Sequence, residues 1–314
     1  MPSGRFAPSP TGDLHLGNLR TGLLAWLFAR STGSSFLVRM EDLDRVQASA
    51  AHERSQLADL AALGFDWDGE VVRQSERFDR YEAAIEQLTH AGQTYACSCT
   101  RREIREAASA PHGDALPDGA YPGTCRDLTD AERQEQAASG RPLALRLRGP
   151  GTTVTVVDDL LGEVTALVDD VVLRRNDGVP AYNLAVVVDD AAQGIEQVVR
   201  ADDLASSAPR QRYLAELLGL PPVGYAHVPL VLGPTGDRLA KRDGAVTLAD
   251  QFALGRTAEQ VVGLLACSAG LVDEPDPCRA ADLVTGFDPS RIGRSEWRLA
   301  ERDLAVDPPG TVSP

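Results

Sequence analysis

Two stretches of the chain place side chains where phosphate chemistry could be done. The first is Ala7-Pro8-Ser9-Pro10-Thr11-Gly12-Asp13-Leu14-His15-Leu16-Gly17-Asn18. Gly12 and Gly17 let backbone approach a ligand closely. His15 and Asn18 stand three residues apart where a helical pattern begins, so both can face an anion at the helix N-terminus. The second is Arg238-Leu239-Ala240-Lys241-Arg242-Asp243-Gly244. The chain has 30 arginines and a single lysine, Lys241. A compact ammonium in a glycine-flanked basic loop suits a transition state that gains phosphate charge. Each stretch alone has an ordinary alternative: a loop with a solvated histidine, and a solvated basic turn.

A third constellation is Cys97-Ser98-Cys99 with Tyr121 and Cys125. Three thiolates and one more donor would close a tetrahedral shell, as structural zinc prefers. Cys-x-Cys is a weaker signal than Cys-x-x-Cys, tyrosine is an unusual ligand, and the 21 residues between Cys99 and Tyr121 make a long loop. Cys267 and Cys278 lack partners and read as structural. Five cysteines are an odd number and are not spaced as a disulfide framework, so two close together point to a metal first.

For the two phosphate-handling stretches to meet, the fold must bring both to one sheet edge. Residues 4–7 read as a strand, and a helix over 18–30 carries Leu19, Leu23, Leu24, Leu27 and Phe28 at helical spacing. A strand over 35–40 and a helix over 48–63, stopped at Gly64, repeat the alternation and indicate a parallel α/β sheet. A helix over 77–91 follows. Residues 107–123 are rich in Ala, Pro and Gly and read as a loop. Short strands over 142–148, 152–157 and 164–168, expected to be antiparallel, read as an insertion into the α/β body. Alternation resumes with a strand over 171–174, a helix over 182–192, a strand over 196–200, a helix over 203–218 and a strand over 225–232. Beyond Val246 the chain reads as short helices, such as 257–269, and the Pro/Gly-rich tail over 307–314 as frayed.

The 314 residues can bury a core without disulfide staples, and 43% apolar with 25% charged residues is ordinary globular composition. No apolar run approaches a membrane span, and the start Met1-Pro2-Ser3-Gly4-Arg5 carries no signal core, so a cytoplasmic protein is expected. The net charge of −15 argues against indiscriminate coating of nucleic acid, though not against a local basic face.

Together the two stretches resemble the paired signatures of class I aminoacyl-tRNA synthetases, His-Ile-Gly-His and Lys-Met-Ser-Lys-Ser. The finer similarity is to glutamyl-tRNA synthetases. It rests on Arg5-Phe6-Ala7-Pro8-Ser9-Pro10-Thr11-Gly12, Arg39-Met40-Glu41-Asp42, Tyr182-Asn183-Leu184-Ala185-Val186-Val187-Val188-Asp189-Asp190 and Val198-Val199-Arg200. Asn18 stands for the second histidine of the pattern, Arg238 for the first lysine and Ala240 for the serine.

The resemblance implies an α/β fold. It has a Rossmann-type parallel sheet, an inserted zinc-containing α+β domain and a short helical C-terminal part. The division expected is 1–91 and 171–235 for the two Rossmann halves, 92–170 for an acceptor-binding insertion, and 236–314 for the basic loop and helices. It implies ATP binding by His15, Gly17, Asn18, Arg238 and Lys241, with Mg2+, and catalysis through His15, Asn18 and Lys241. It implies a glutamate pocket of Arg5, Ala7, Ser9, Glu41, Tyr182 and Arg200, and one structural zinc on Cys97, Cys99, Tyr121 and Cys125. The residue types fit independently: a dicarboxylate with one ammonium wants two guanidinium forks and one carboxylate, and Arg5, Arg200 and Glu41 supply them.

Only 72 residues follow Arg242, too few for the anticodon-binding domain of a full glutamyl-tRNA synthetase. The chain therefore resembles the short paralogue in that family, which esterifies glutamate to queuosine in the anticodon loop of tRNA(Asp). Three alternatives stay open: a truncated synthetase charging the 3′ end of tRNA(Glu), an enzyme with a different small acceptor, and a non-catalytic ATP- or tRNA-binding paralogue. The partners implied are L-glutamate, ATP and tRNA(Asp) carrying queuosine, with no membrane and with a monomer favoured. Candidate tRNA phosphate contacts are Arg101, Arg102 and Arg105, and Arg291, Arg294, Arg298 and Arg302.

Overall fold

The structure is a computed structural model that describes residues 3–108, 120–239 and 246–300. In chain order the strands are β1 (Ser3–Phe6), β2 (Ser35–Met40), β3 (Val72–Arg73), β4 (Thr94–Cys97), β5 (Ala144–Leu147), β6 (Thr152–Asp158), β7 (Gly162–Val168), β8 (Val172–Arg174), β9 (Gln197–Ala201), β10 (Gly224–Val228), β11 (Val231–Leu232) and β12 (Trp297–Arg298). The helices are α1 (Leu16–Ser31), α2 (Ala50–Ala62), α3 (Phe78–His90), α4 (Arg101–Ala108), α5 (Asp130–Ala138), α6 (Tyr182–Ala192), α7 (Ala208–Leu218), α8 (Leu248–Ala253), α9 (Ala258–Ser268) and α10 (Ala280–Val284). None of them is long and apolar enough to cross a membrane, among the described residues.

Among the described residues the main sheet has seven strands in the order β3-β2-β1-β9-β10-β6-β7. Its pairs are parallel from β3 through to β6, and only β6–β7 is antiparallel. β1 is buried at every position, as a central strand covered on both faces must be. α1 covers one face. It is apolar nearly all round, with Leu16, Leu19, Leu23, Leu24 and Leu27 all fully buried, which a helix tolerates only when packed on every side. β1 and β9 lie beneath it and α9 and α10 above it, so residues from both ends of the chain share one core. Arg20, also buried, fastens α1 to that frame through Nη1 to the Pro229 carbonyl at 2.8 Å and Nη2 to the Ser268 carbonyl at 3.1 Å.

A second, three-stranded sheet in the order β4-β5-β8 is antiparallel and carries α4 and α5 in its connections. The expected insertion differs in one respect. The hairpin β6–β7 is hydrogen-bonded onto the main sheet, where Tyr225 of β10 pairs with Asp158, while β8, beyond residue 170, completes the small sheet. The partly and fully buried positions of β6 explain this: Val154, Val156 and Asp158 alternate toward the body, and α7 packs on the hairpin.

Other differences have local causes. The strand expected over 225–232 breaks at Pro229 into β10 and β11. The helix expected over 203–218 is a 3-10 turn, Asp202–Ser207, before α7, which opens with Pro209 in its first turn. The C-terminal stretch is helical as expected but is no separate body: Val261, Leu265, Ile292 and Leu299 join the core of α1, and β12 pairs with β11.

Candidate active site

The C-terminal ends of β1 and β9 open onto a cavity of about 700 Å³. Its lining includes Arg5, Ala7, Ser9, His15, Gly17, Asn18, Glu41, Tyr182, Arg200 and Arg238. Every residue expected to hold ATP or glutamate, except Lys241, is thus brought to one place. Lys241 falls outside the described residues. Its flanks are described: Leu239 lines the cavity, and the Val246 carbonyl accepts the Leu16 N–H at 2.8 Å.

The first signature is folded by its own hydrogen bonds. His15 is the N-cap of α1: its Nδ1 accepts the Asn18 N–H, and Asn18 Oδ1 accepts the His15 N–H, each at 3.2 Å. This is a capping box made with His and Asn. It uses the acceptor of each side chain and leaves the donors, His15 Nε2–H and the Asn18 amide, at the N-terminus of a 16-residue helix. Burial holds the His15 pKa below its ordinary value, and the Asn18 N–H donated to Nδ1 leaves Nε2 to carry the proton of the neutral ring. Two donors and a helix N-terminus suit phosphate oxygens. A side chain at Gly17 would place Cβ 2.9 Å from His15 Cε1 and 3.2 Å from Val231 Cβ, so only glycine leaves the ring where it is. The loop before it is held by Gln56, whose Nε2 donates to the Ser9 carbonyl at 3.0 Å and the Gly12 carbonyl at 2.7 Å.

At the other end of the cavity the buried guanidiniums of Arg5, Arg39 and Arg200 gather with two carboxylates, the buried Asp190 and the partly buried Glu41. Arg5 donates from Nε to Asp190 Oδ1 at 3.1 Å. Asp190 also receives Nη1 of the fully buried Arg39 at 2.8 Å, and Arg39 reaches Gln193 at 2.8 Å and Glu41 at 3.5 Å. Burial raises the Glu41 carboxyl above its ordinary value, against the pull of Arg39 and Arg5. Burial, with the nearby Glu41, likewise raises the Tyr182 phenol. Arg200 donates to His227 Nε2 at 3.0 Å, to Gln211 Oε1 at 2.9 Å and to the Tyr182 hydroxyl at 3.4 Å. Near the second signature Arg238, mostly exposed, pairs with Asp203 at 2.7 Å.

The cysteines converge on the small sheet. Among the described residues Cys97, Cys99 and Cys125 form the one cluster whose donor atoms, all within 4.8 Å of one another, could hold a metal. The Tyr121 hydroxyl lies 3.4 Å from the Cys97 sulfur and 3.6 Å from that of Cys99, and the Cys99 and Cys125 sulfurs are 3.4 Å apart. A tetrahedral zinc with 2.3 Å bonds asks for sulfurs about 3.8 Å apart, so the donor set fits after a small expansion. Burial drives the Cys99 thiol up to about 12, and a bound dication would reverse that. The Arg146 guanidinium lies 3.7 Å over the Tyr121 ring. Cys267 and Cys278 stand apart from this cluster and form no disulfide.

Of the arginines expected to meet tRNA, Arg101, Arg102 and Arg105 are exposed on α4, close to the cysteines. Arg294 instead donates to the Leu160 carbonyl, and Arg302 falls outside the described residues. Sequence reasoning did not single out Asp190, Gln56, Asp158 or His227. Asp158 and His227 are 69 residues apart, and no local spacing could have paired them.

The family described as tRNA synthetases class I (E and Q), catalytic domain, matches residues 3–262. A glutamyl-Q tRNA(Asp) synthetase of Nocardia farcinica is 64% identical over 302 residues, covering 96% of this chain and 94% of that protein. A protein of the same name from Cutibacterium acnes is 55% identical, covering 97% and 90%. A glutamate–tRNA ligase of Oleidesulfovibrio alaskensis is 40% identical, covering 93% of this chain and 62% of that protein. Among solved structures, a glutamate tRNA ligase from Elizabethkingia meningosepticum in complex with its amino acid aligns with a TM-score of 0.82 at 27% identity, covering 96% of this chain and 68% of that one.

Proposed function

This chain belongs to the class I tRNA synthetases (E and Q), and from that membership we propose that it activates L-glutamate with ATP and passes it to queuosine in the anticodon loop of tRNA(Asp). The observation that carries the proposal is the single cavity lined at one end by the donors of His15 and Asn18 and at the other by Arg5, Glu41 and Arg200. An extended ligand with phosphates at one end and an amino dicarboxylic acid at the other matches that lining.

In the first step a glutamate α-carboxylate oxygen bonds to the α-phosphorus of ATP, and the bond to pyrophosphate breaks. His15 Nε2–H and the Asn18 amide hold phosphate oxygens, Gly17 gives them room, and Lys241 and Arg238 meet the charge that grows on the departing phosphates. Mg2+ accompanies the ATP phosphates when they are bound. Glu41 faces the substrate ammonium, and Arg5 and Arg200 face its carboxylates, with Ala7, Ser9 and Tyr182 completing the pocket. In the second step a queuosine hydroxyl oxygen attacks the glutamyl carbonyl, and AMP leaves.

Cys97, Cys99, Tyr121 and Cys125 would hold one structural zinc, a closed shell that leaves no position for chemistry. The small sheet β4-β5-β8 with α4 and α5 would form the acceptor-binding side of the molecule, and the seven-stranded sheet, with the β6–β7 hairpin on its edge, the Rossmann body. The setting is the cytoplasm, where tRNA is modified.

The test is transfer of labelled glutamate to tRNA(Asp) with and without queuosine, alongside tRNA(Glu). Labelling confined to the queuosine-bearing tRNA is expected. Equal labelling of the 3′ end of tRNA(Glu) would replace this reading with that of a synthetase charging that tRNA. Absence of glutamate-dependent ATP–pyrophosphate exchange would remove both.

A further inference from the structure

His227, on β10, is fully buried and its ring is gripped from two sides. Nδ1 lies 2.6 Å from Asp158 Oδ2, and Nε2 accepts the Arg200 Nε–H at 3.0 Å. Arginine only donates, so Nε2 is the bare nitrogen and Nδ1 carries the proton, shared with Asp158. Asp158 is itself fixed at the turn between β6 and β7, where its Oδ1 accepts the N–H groups of Leu160 and Leu161, each at 2.9 Å. The His227 ring stacks on Tyr225 at 5.7 Å, and the Arg200 guanidinium lies over that same ring at 5.3 Å.

We infer that Asp158 and His227 are positioning residues that set the plane and reach of the Arg200 guanidinium, and through it the selectivity for glutamate over glutamine. This rests on the reading of the cavity as a glutamate site. The carboxylate that begins the relay comes from a hairpin lying, in sequence, between two strands of the small sheet. The amino-acid end of the site is therefore fastened from within the inserted stretch, by a residue that touches no substrate.

The decisive variant is Asp158→Asn. The amide keeps an acceptor for the turn but can offer N–H to Nδ1, which puts the His227 proton on Nε2, donor against donor with Arg200. We expect the KM for glutamate in pyrophosphate exchange to rise about tenfold or more, and discrimination against glutamine to shrink. The KM for ATP and kcat should stay within about threefold. His227→Asn, which cannot reach Arg200, should behave the same way. His227→Gln, whose Oε1 can accept the Nε–H, should stay near wild type. A merely structural role would lower the melting temperature and the active fraction without moving the KM. Folded Asp158→Asn and His227→Asn enzymes with a KM within about twofold of wild type would overturn the inference. Nitrogen-15 spectra of the wild-type His227 ring decide independently of activity: a proton on Nδ1 supports it, and a proton on Nε2 overturns it. If the wild type showed no glutamate-dependent exchange, the glutamate reading would fall, and these spectra would still decide whether Asp158 and His227 hold Arg200.

Discussion

Glu41, the carboxylate proposed to face the substrate ammonium, lies in the cavity wall beside Arg39. Its pKa is raised, first by burial, because Arg39 and Arg5 are shared with Asp190 and compensate it only in part. A substrate ammonium would favour the ionised form. The sign follows: as pH falls, the free protein loses the Glu41 charge at a higher pH than an exposed carboxyl with its ordinary value of 4.5. The KM for glutamate should climb about tenfold per pH unit once Glu41 protonates, starting above that value, while Glu41→Gln should show a high KM with no such slope. A flat KM in the wild type across the acid range would contradict the role given to Glu41. Gly17 makes a second argument at this scale. Gly17→Ala would push the His15 ring off its cap, so exchange should drop about 10- to 100-fold with little change in melting temperature. Steady-state kinetics with ATP as the varied substrate, beside a thermal melt, would show it.

The elements were legible in the sequence to different degrees, for physical reasons. The α/β body was readable because its helices and buried strands carry their own periodicity, and the signature residues sit at strand ends where such sheets bind ligands. The start of α1 was misplaced by two residues because the cap is a His–Asn pair rather than the usual Ser or Thr. β4 and β12 escaped because strands of four and two residues hold through partners far away in sequence, β5 and β11. α5 escaped although Thr129 and Glu132 form a plain capping box. The buried relay behind Arg200 had no local signal at all. The small sheet yields the prediction at this scale. Its cysteine end rests on a small buried cluster, Tyr95, Cys97, Tyr121 and Cys125, while Leu147 and Leu173 pack on the main body, so the proposed zinc would stabilise that end above all. Elemental analysis of protein purified without added metal should find one zinc per chain, lost in Cys97→Ser. Chelation should raise hydrogen exchange in β4, β5 and α4 while β1, β9 and β10 stay protected. Metal-free wild-type protein with an unchanged small sheet would refute this.

Across the whole molecule the charge balance is −15, so the tRNA must be held by a few local contacts against a repelling background. With Arg101, Arg102 and Arg105 as the main phosphate contacts on α4, log kcat/KM for transfer should fall with log salt at a slope of about −2. Replacing all three with alanine should flatten that slope and leave pyrophosphate exchange intact. A steep slope, unchanged in the triple variant, would place the contacts elsewhere. The burial of α1 carries a consequence of another kind. Its leucines are covered below by β1 and β9 and above by α9 and α10, and Arg20 waits for carbonyls at Pro229 and Ser268. A ribosome makes α1 early and α9 late, so at ordinary synthesis rates roughly 10–50 s pass between them. Throughout that interval the face of α1 that α9 and α10 will cover has no lid. The nascent chain must be shielded by a chaperone or hold itself in a loose collapse, and pauses in translation between these two helices would cost more soluble product than pauses after them.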